Sequence, residues 1–197
     1  EQQGMPLYFK DLRDNTYLYF RAYIDSLSEN VSPNWTPHNY IGRSEPVYTY
    51  ENAEREISFG MKLAAHTANE LSAIYGKLRV LTSLAYPEYQ QDTRNQKSRM
   101  KPPLIMFRLG DLYGNADETA QGSHSGFIKS LSYEVNESTP WEYREGQRVP
   151  KLISATIGIQ VIHTSPPNKN TAFYGYLGAG EGQLIPDAGG MIDSLLP

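Results

Sequence analysis

EISFGMKLAAHTANELSAIYGKLRVLTSLAYP, residues 56–87, changes its hydrophobic period once, from two to about 3.6. In its first nine residues Ile57, Phe59, Met61 and Leu63 alternate with Glu56, Ser58, Gly60 and Lys62, the pattern of a strand with one face on a core and one face on water or a partner. Thr67-Ala68-Asn69-Glu70 then has the form of a capping box, in which a hydroxyl and a carboxylate satisfy the orphan backbone donors of a helix start. Apolar residues recur at Leu71, Ile74, Tyr75, Leu78, Leu81 and Ala85 until Pro87. One amphipathic helix of about five turns is predicted over Thr67–Tyr86, lying on the face of a sheet.

Working outward, Pro46–Tyr50 and Glu56–Ala64 flank the polar run Glu51–Glu54 and read as a hairpin. Ser28–Pro37 holds two prolines and several turn formers, which makes it a loop or edge excursion pinned by Trp35. Leu7–Leu12 and Tyr17–Ile24 form a further hairpin across Arg13–Thr16. Downstream, Gln90–Lys101 reads as an exposed polar loop, and Leu104–Leu109 and Phe127–Val135 as strands joined by a long Gly/Ser-rich loop, 110–126. Val149–His163 is the longest predicted strand, and such length suggests one that extends past its own sheet. The fold class is mainly β (α+β), an antiparallel β-sandwich or barrel with one packed helix. Residues 1–167 form the domain, and 168–197 a Gly-rich arm or linker.

Composition agrees with one such domain. A chain of 197 residues buries one good core, and 15 tyrosines with only 20% charged residues suit pleated, half-buried surfaces. A net charge of -4 argues against a protein that coats nucleic acid, which needs a lysine and arginine footprint. The absence of Cys excludes disulfides and thiolate sites. No apolar run approaches a membrane span and no secretory pattern is seen, so a soluble chain is expected. The chain begins at Glu1 rather than Met, so residues upstream can be missing. The sequons at Asn30, Asn34 and Asn136 read as turn chemistry.

Motifs for catalysis are missing. His38, His66, His124 and His163 form no ligand spacing, no Ser stands in GxSxG or SxxK, and Gly178–Gly182 lacks the Lys-Ser/Thr of a phosphate loop. Glu54 and Glu56, two apart on a solvent face, read as solubility charges rather than a glycosidase pair. No catalytic, cofactor or metal residues are expected. The many tyrosines suit core and interface better than a ligand platform.

Three stretches together carry a resemblance: residues 31–89, with Gly42-Arg43-Ser44-Glu45-Pro46-Val47-Tyr48 and Tyr86-Pro87-Glu88-Tyr89; KPPLIMFRLGDLYG, residues 101–114; and residues 126–167. The chain resembles the tail-tube-like domain family of contractile-phage baseplates, and within it the tail-tube junction (tube cap) proteins of T4-like phages of cyanobacteria. The resemblance spans Leu7–Pro167. It implies a virion protein, assembled in the host cytoplasm, that forms a homo-hexameric ring of β-sandwich subunits whose inner strands line a DNA channel. The implied partners are other baseplate hub and wedge proteins, the tube initiator and tail tube proteins; DNA passes without specific binding and no membrane is involved. It implies no catalytic or metal residues. Six copies would bring about two dozen surplus negative charges to a ring, and any that faced the lumen would repel DNA. The polar faces of Glu56–Ala64 and Val149–His163 are expected toward the channel or a neighbouring subunit, with Ser58, Lys62, Thr156 and Gln160 the residues concerned. A tube initiator or tail-tube-like subunit of a related contractile injection system, a carbohydrate-binding β-sandwich module and, last, a hydrolase are the alternatives.

Overall fold

A computed structural model describes residues 5–91, 98–114, 124–146, 148–163, 167 and 173–174. Seven strands make the main sheet: β1 (Leu7–Asp11), β2 (Tyr17–Phe20), β3 (Tyr23–His38), β4 (Val47–Ala64), β7 (Ile105–Leu109), β8 (His124–Glu134) and β9 (Leu152–Ile162). A helix, α1 (Ala68–Ser83), and a small hairpin, β5 (Glu88–Gln91) with β6 (Ser98–Lys101), lie between β4 and β7 in sequence. The sheet order is β2-β1-β7-β8-β9-β4-β3, and every pairing is antiparallel.

β2 and β3 are opposite edges of that sheet, yet only Arg21 and Ala22 separate them in the chain. Three residue steps reach at most about 11 Å, so the sheet must curl until its edges approach at that corner. The curl brings opposite walls into contact. Phe9 of β1 stacks on Phe59 of β4 at 6.3 Å although three strands intervene, and Phe107, the cross-strand partner of Phe9, stacks on Phe59 at 6.4 Å. The result is a mainly β fold with a barrel-like sheet, as the composition and alternation predict.

The alternating residues Ile57, Phe59, Met61 and Leu63 all face inward and are buried, as are Ile153, Ala155, Ile157, Ile159 and Val161 of β9. α1 follows β4 closely and adds Leu78 and Leu81, with Leu84 at its C-cap, to the same core, while Leu71 is also buried. The capping box is present: Thr67 Oγ1 accepts from Glu70 N at 3.2 Å, and the Glu70 carboxylate accepts from Thr67 N at 3.1 Å and His66 N at 2.9 Å. Thr67→Ala is expected to lower stability by about 1 kcal/mol in urea titration, with Thr67→Asn recovering most of the loss. The end of the helix is tied to the β1–β2 turn, where Arg13 donates to Tyr86 O at 3.0 Å while its other nitrogens hold Asp11.

Several predicted boundaries are corrected. Residues 28–37, expected as a loop or edge excursion, lie at an edge but as strand, most of β3, and Glu51–Glu54 is not a turn but lies within β4, a strand of 18 residues. The reason is that β3 is an edge: Pro33 and Pro37 sit where a strand has no second neighbour, so a missing N–H costs little. Part of Gln90–Lys101 is also strand, with Glu88 opposite Lys101 and Tyr89 opposite Met100, a ladder whose polar sequence gives no alternation to read; residues 92–97 lie outside the described residues. β8 begins at His124, inside the predicted 110–126 loop, of which 115–123 lie outside the described residues. β9 covers 11 residues rather than fifteen, and β4 is longer. Of the predicted arm 168–197, only Phe173 and Tyr174 fall within the described residues.

Candidate functional site

The four polar residues singled out from the sequence lie together on the outer face of the sheet. β4 and β9 pair with Ser58 opposite Gly158, Gly60 opposite Thr156, Lys62 opposite Ser154 and Glu56 opposite Gln160. The alternation that turns Ile57, Phe59 and Ile157 inward turns Ser58, Lys62, Thr156 and Gln160 outward. Two glycines keep this face smooth. A Cβ on Gly158 would stand 2.4 Å from Ser130 Oγ, and one on Gly60 would stand 2.9 Å from Ser26 Oγ, so hydroxyls lie over the positions where side chains would project. The two lysines here are paired: Lys62 with Asp25 and Lys129 with Glu56, both at 2.7 Å. Exposed pairs of this kind add little stability, but they leave the face without a run of unpaired cations.

Beyond this sheet β3 and β4 continue as a two-stranded arm. β9 pairs with β4 only from Glu56 to Ala64, whereas β3 stays paired as far as His38 with Val47. At about 3.4 Å per residue, Val47–Arg55 and its partners project roughly 30 Å. Leu27 lies opposite Phe59 and Val31 opposite Arg55, so both continue the inward face of the barrel. After the irregularity at Asn34/Trp35, Trp35 pairs with Tyr50 and Pro37 with Tyr48. Val31, Trp35, Tyr48 and Tyr50 are each half or more exposed. The arm therefore carries the apolar character of the core out of the body of the protein, along strands whose outer edges have no partner among the described residues.

Where the arm joins the barrel, a buried polar cluster interrupts the apolar face. Arg55, 3% exposed, occupies the next inward position after Ile57. Its Nε donates to Glu29 Oε1 at 2.6 Å and its Nη2 to Phe173 O at 3.1 Å, while Nη1 is buried with no hydrogen-bond partner among the described residues. Tyr113 donates to Glu29 Oε2 at 2.7 Å. Burial works against ionisation of Glu29, but hydrogen bonds from Arg55 and Tyr113 outweigh it and hold the carboxyl below its ordinary range. Burial and the bond to Glu29 push the Tyr113 hydroxyl well above its usual value. His124 lies beside them with Nε2 3.0 Å from Phe173 O, and since a carbonyl only accepts, Nε2 carries the proton. Burial, and then the Arg55 charge, lower His124 to about 4. Alternation through β4 already marks Arg55 as inward-facing; nothing local in the sequence signals that Glu29, Tyr113, His124 and Phe173 surround it.

Among the described residues no group of three or more His, Cys, Asp or Glu could hold a metal ion, and no helix is long and apolar enough to cross a membrane. A cavity of about 380 Å³ lies between the β1–β2 turn and the end of α1, but Arg13, on its wall, is already engaged by Asp11 and Tyr86 O.

No family model and no curated protein matches the chain. Among solved structures, the tail of an empty GTA particle, computed with helical refinement under C6 symmetry, aligns with a TM-score of 0.37 and 10% identity, covering 83% of this chain and 96% of that one. At that level of likeness the function is read from this chain's own residues.

Proposed function

We propose that this chain is a structural subunit of a contractile phage tail, forming a hexameric ring at the junction of baseplate and tail tube as its resemblance to tube-junction proteins of T4-like cyanobacterial phages implies, and that it performs no catalysis. The observation that carries the reading is the projecting arm. A single chain in water has no use for about 30 Å of hairpin bearing Val31, Trp35, Tyr48 and Tyr50 on its exposed face, whereas a ring subunit covers that face with its neighbour. The outer sheet face suits a channel wall. Its hydroxyls and glycines around Ser58 and Thr156, and its paired lysines, give phosphates nothing to hold, so DNA would pass rather than bind. Assembly would occur in the host cytoplasm and the product would reside in the virion, in contact with hub or wedge proteins, the tube initiator and tube subunits.

A carbohydrate-binding module is the competing reading. Trp35 and Tyr50 stand edge to face at 68°, however, which presents no flat platform for a sugar ring.

Trp35→Ser/Tyr50→Ser tests the proposal. The two side chains are half exposed and pair edge to face across the strands, so the double variant is expected to stay folded and to lose no more than about 1.5 kcal/mol. Ring formation with baseplate partners, seen by negative-stain microscopy, is expected to be lost. Normal rings from the double variant would overturn the assignment of the arm.

A further inference from the structure

A neighbour laid along the arm covers its stripe but leaves the tip of the arm without a contact. There Tyr40–Arg43 close a turn, with Arg43 N donating to Tyr40 O at 3.2 Å and Gly42 at φ +85°, the position at which a type II turn requires glycine. That geometry puts Ile41 at the outer corner, where it is fully exposed, with Tyr40 largely exposed beside it. A lone exposed aliphatic residue would need no explanation. Here two adjacent large apolar side chains end a projecting arm, and the exposed Arg43 next to them forms no ion pair among the described residues.

The same molecule carries a cleft of matching character. The cavity of about 380 Å³ beside the end of α1 has Leu18, Val80, Leu84 and Pro87 on its walls, with Asp14 and Glu88 among them. Arg13, the basic residue on those walls, is engaged at Nε and Nη2 by Asp11 and at Nη1 by Tyr86 O. Asp11, Glu88 and Asp14 all act on that one guanidinium, so three carboxylates surround a single positive charge and the cleft stays negative. It suits an apolar group accompanied by a cation and repels an anion. Its volume is at the small end of ligand pockets, which fits the corner of a turn.

Tip and cleft lie at opposite ends of the protein. The arm leaves the sheet at Glu56, opposite Gln160 near the end of β9, whereas Ala64 pairs with Leu152 at the start of β9. α1 stays at the latter end: Tyr75 donates to Pro150 O at 3.2 Å, and Thr82 Oγ1 lies 2.8 Å from the hydroxyl of Tyr133, which stands opposite Ala155. The 18 residues of β4, roughly 60 Å at the rise of an extended strand, run from the arm to that end. A paired ribbon does not fold back over its own sheet, so a tip meets a cleft only on another copy.

We propose that the turn Tyr40–Arg43 docks in the cleft of a second copy of the chain, with Ile41 against Leu18, Val80 and Leu84 and with Arg43 facing Asp14 and Glu88. The proposal rests on the assembly reading given above and adds the site that the arm engages. Every copy offers one tip and one cleft, so the contact is head to tail, and copies joined in series close into a ring when the rotation allows.

Cross-linking tests this on the full chain, which has no Cys of its own. Asn39→Cys beside the tip is placed in one tagged copy and Ser83→Cys on the cleft wall in a differently tagged one, and a short bismaleimide is added to the mixture at rising concentration. A product joining the two tags is expected, formed at least about tenfold faster than when Tyr143→Cys replaces Ser83→Cys, because docking raises the effective concentration of the pair. Tyr143 is exposed and lies between β8 and β9, away from the cleft walls. Adding Ile41→Asp should remove that advantage, since a carboxylate would enter an apolar, negative cleft. Arg43→Ala and Glu88→Gln should each slow linking about threefold, whereas Glu45→Ala should not slow it. Ile41, Arg43 and Glu88 are exposed, so these variants keep the fold. Equal rates at Ser83→Cys and Tyr143→Cys, or no effect of Ile41→Asp, overturn the docking. The same link is sought in rings formed with baseplate partners, and rings without it overturn the contact while leaving the structural role intact. If wild type forms no rings, it is the structural role that fails, and linking of the purified copies still decides the docking.

Discussion

Replacing Phe59 with alanine is expected to lower the free energy of unfolding by about 4 kcal/mol, enough to leave the domain marginal. Phe59 is fully buried and touches both Phe9 and Phe107, which approach it from the opposite wall of the curled sheet. Truncation removes the transfer energy of the ring and leaves a cavity between two walls held by hydrogen bonds elsewhere, so the site cannot collapse to fill it. Phe59→Leu keeps most of the volume and should cost less than half as much. Urea midpoints for the two variants, with circular dichroism to establish folding, check the ordering. A loss under about 1 kcal/mol for the alanine variant would mean that the two walls do not meet through this residue.

The same position shows what the sequence carries and what it hides. Strict alternation from Ile57 to Leu63 and from Ile153 to Val161 could be read because each strand lies between water and a core, and a core enforces a period of two. α1 was equally legible, since its cap and its Leu71, Leu78, Leu81 stripe are local signals. The arm was not. From Asn30 to His38 and from Val47 to Glu54 both faces of a two-stranded ribbon meet solvent, so no burial sorts polar from apolar residues, and Pro33, Pro37 and Glu51–Glu54 look like turns. The expected strand that outruns its sheet does exist, but it is β4 with β3 rather than β9. Ser58, Lys62, Thr156 and Gln160 could be placed on the outward face by parity alone. The cluster around Arg55 joins residues as distant as Glu29 and Phe173, and only the curl of the sheet brings them together.

Acid should destabilise this protein through that cluster, by about 2 kcal/mol between pH 7 and pH 5. His124 is 6% exposed, and burial together with the Arg55 charge lowers it to about 4 from an ordinary 6.5. Below pH 6.5 the unfolded chain takes up a proton that the native imidazole refuses until about pH 4. Stability is therefore complete above pH 6.5 and falls through that window at up to about 1.4 kcal/mol per pH unit. The groups facing His124 oppose or modify the effect in known directions. The Phe173 carbonyl and Glu29 favour the imidazolium, but less than burial and Arg55 disfavour it, and His163, also lowered by burial and by Arg55, adds a loss of the same sign. Glu29 itself, held below its ordinary carboxyl range, contributes its own loss only at more acid pH, so the window from pH 6.5 to 5 belongs mainly to the histidines. Urea titrations at pH 7 and pH 5 measure the difference. His124→Gln keeps an amide donor for Phe173 O without a titrating proton, and should abolish most of the pH dependence while His163→Gln removes only a part. An unchanged slope in His124→Gln would show that the imidazole is not the group that resists protonation, and that the buried cluster at the root of the arm is open to water.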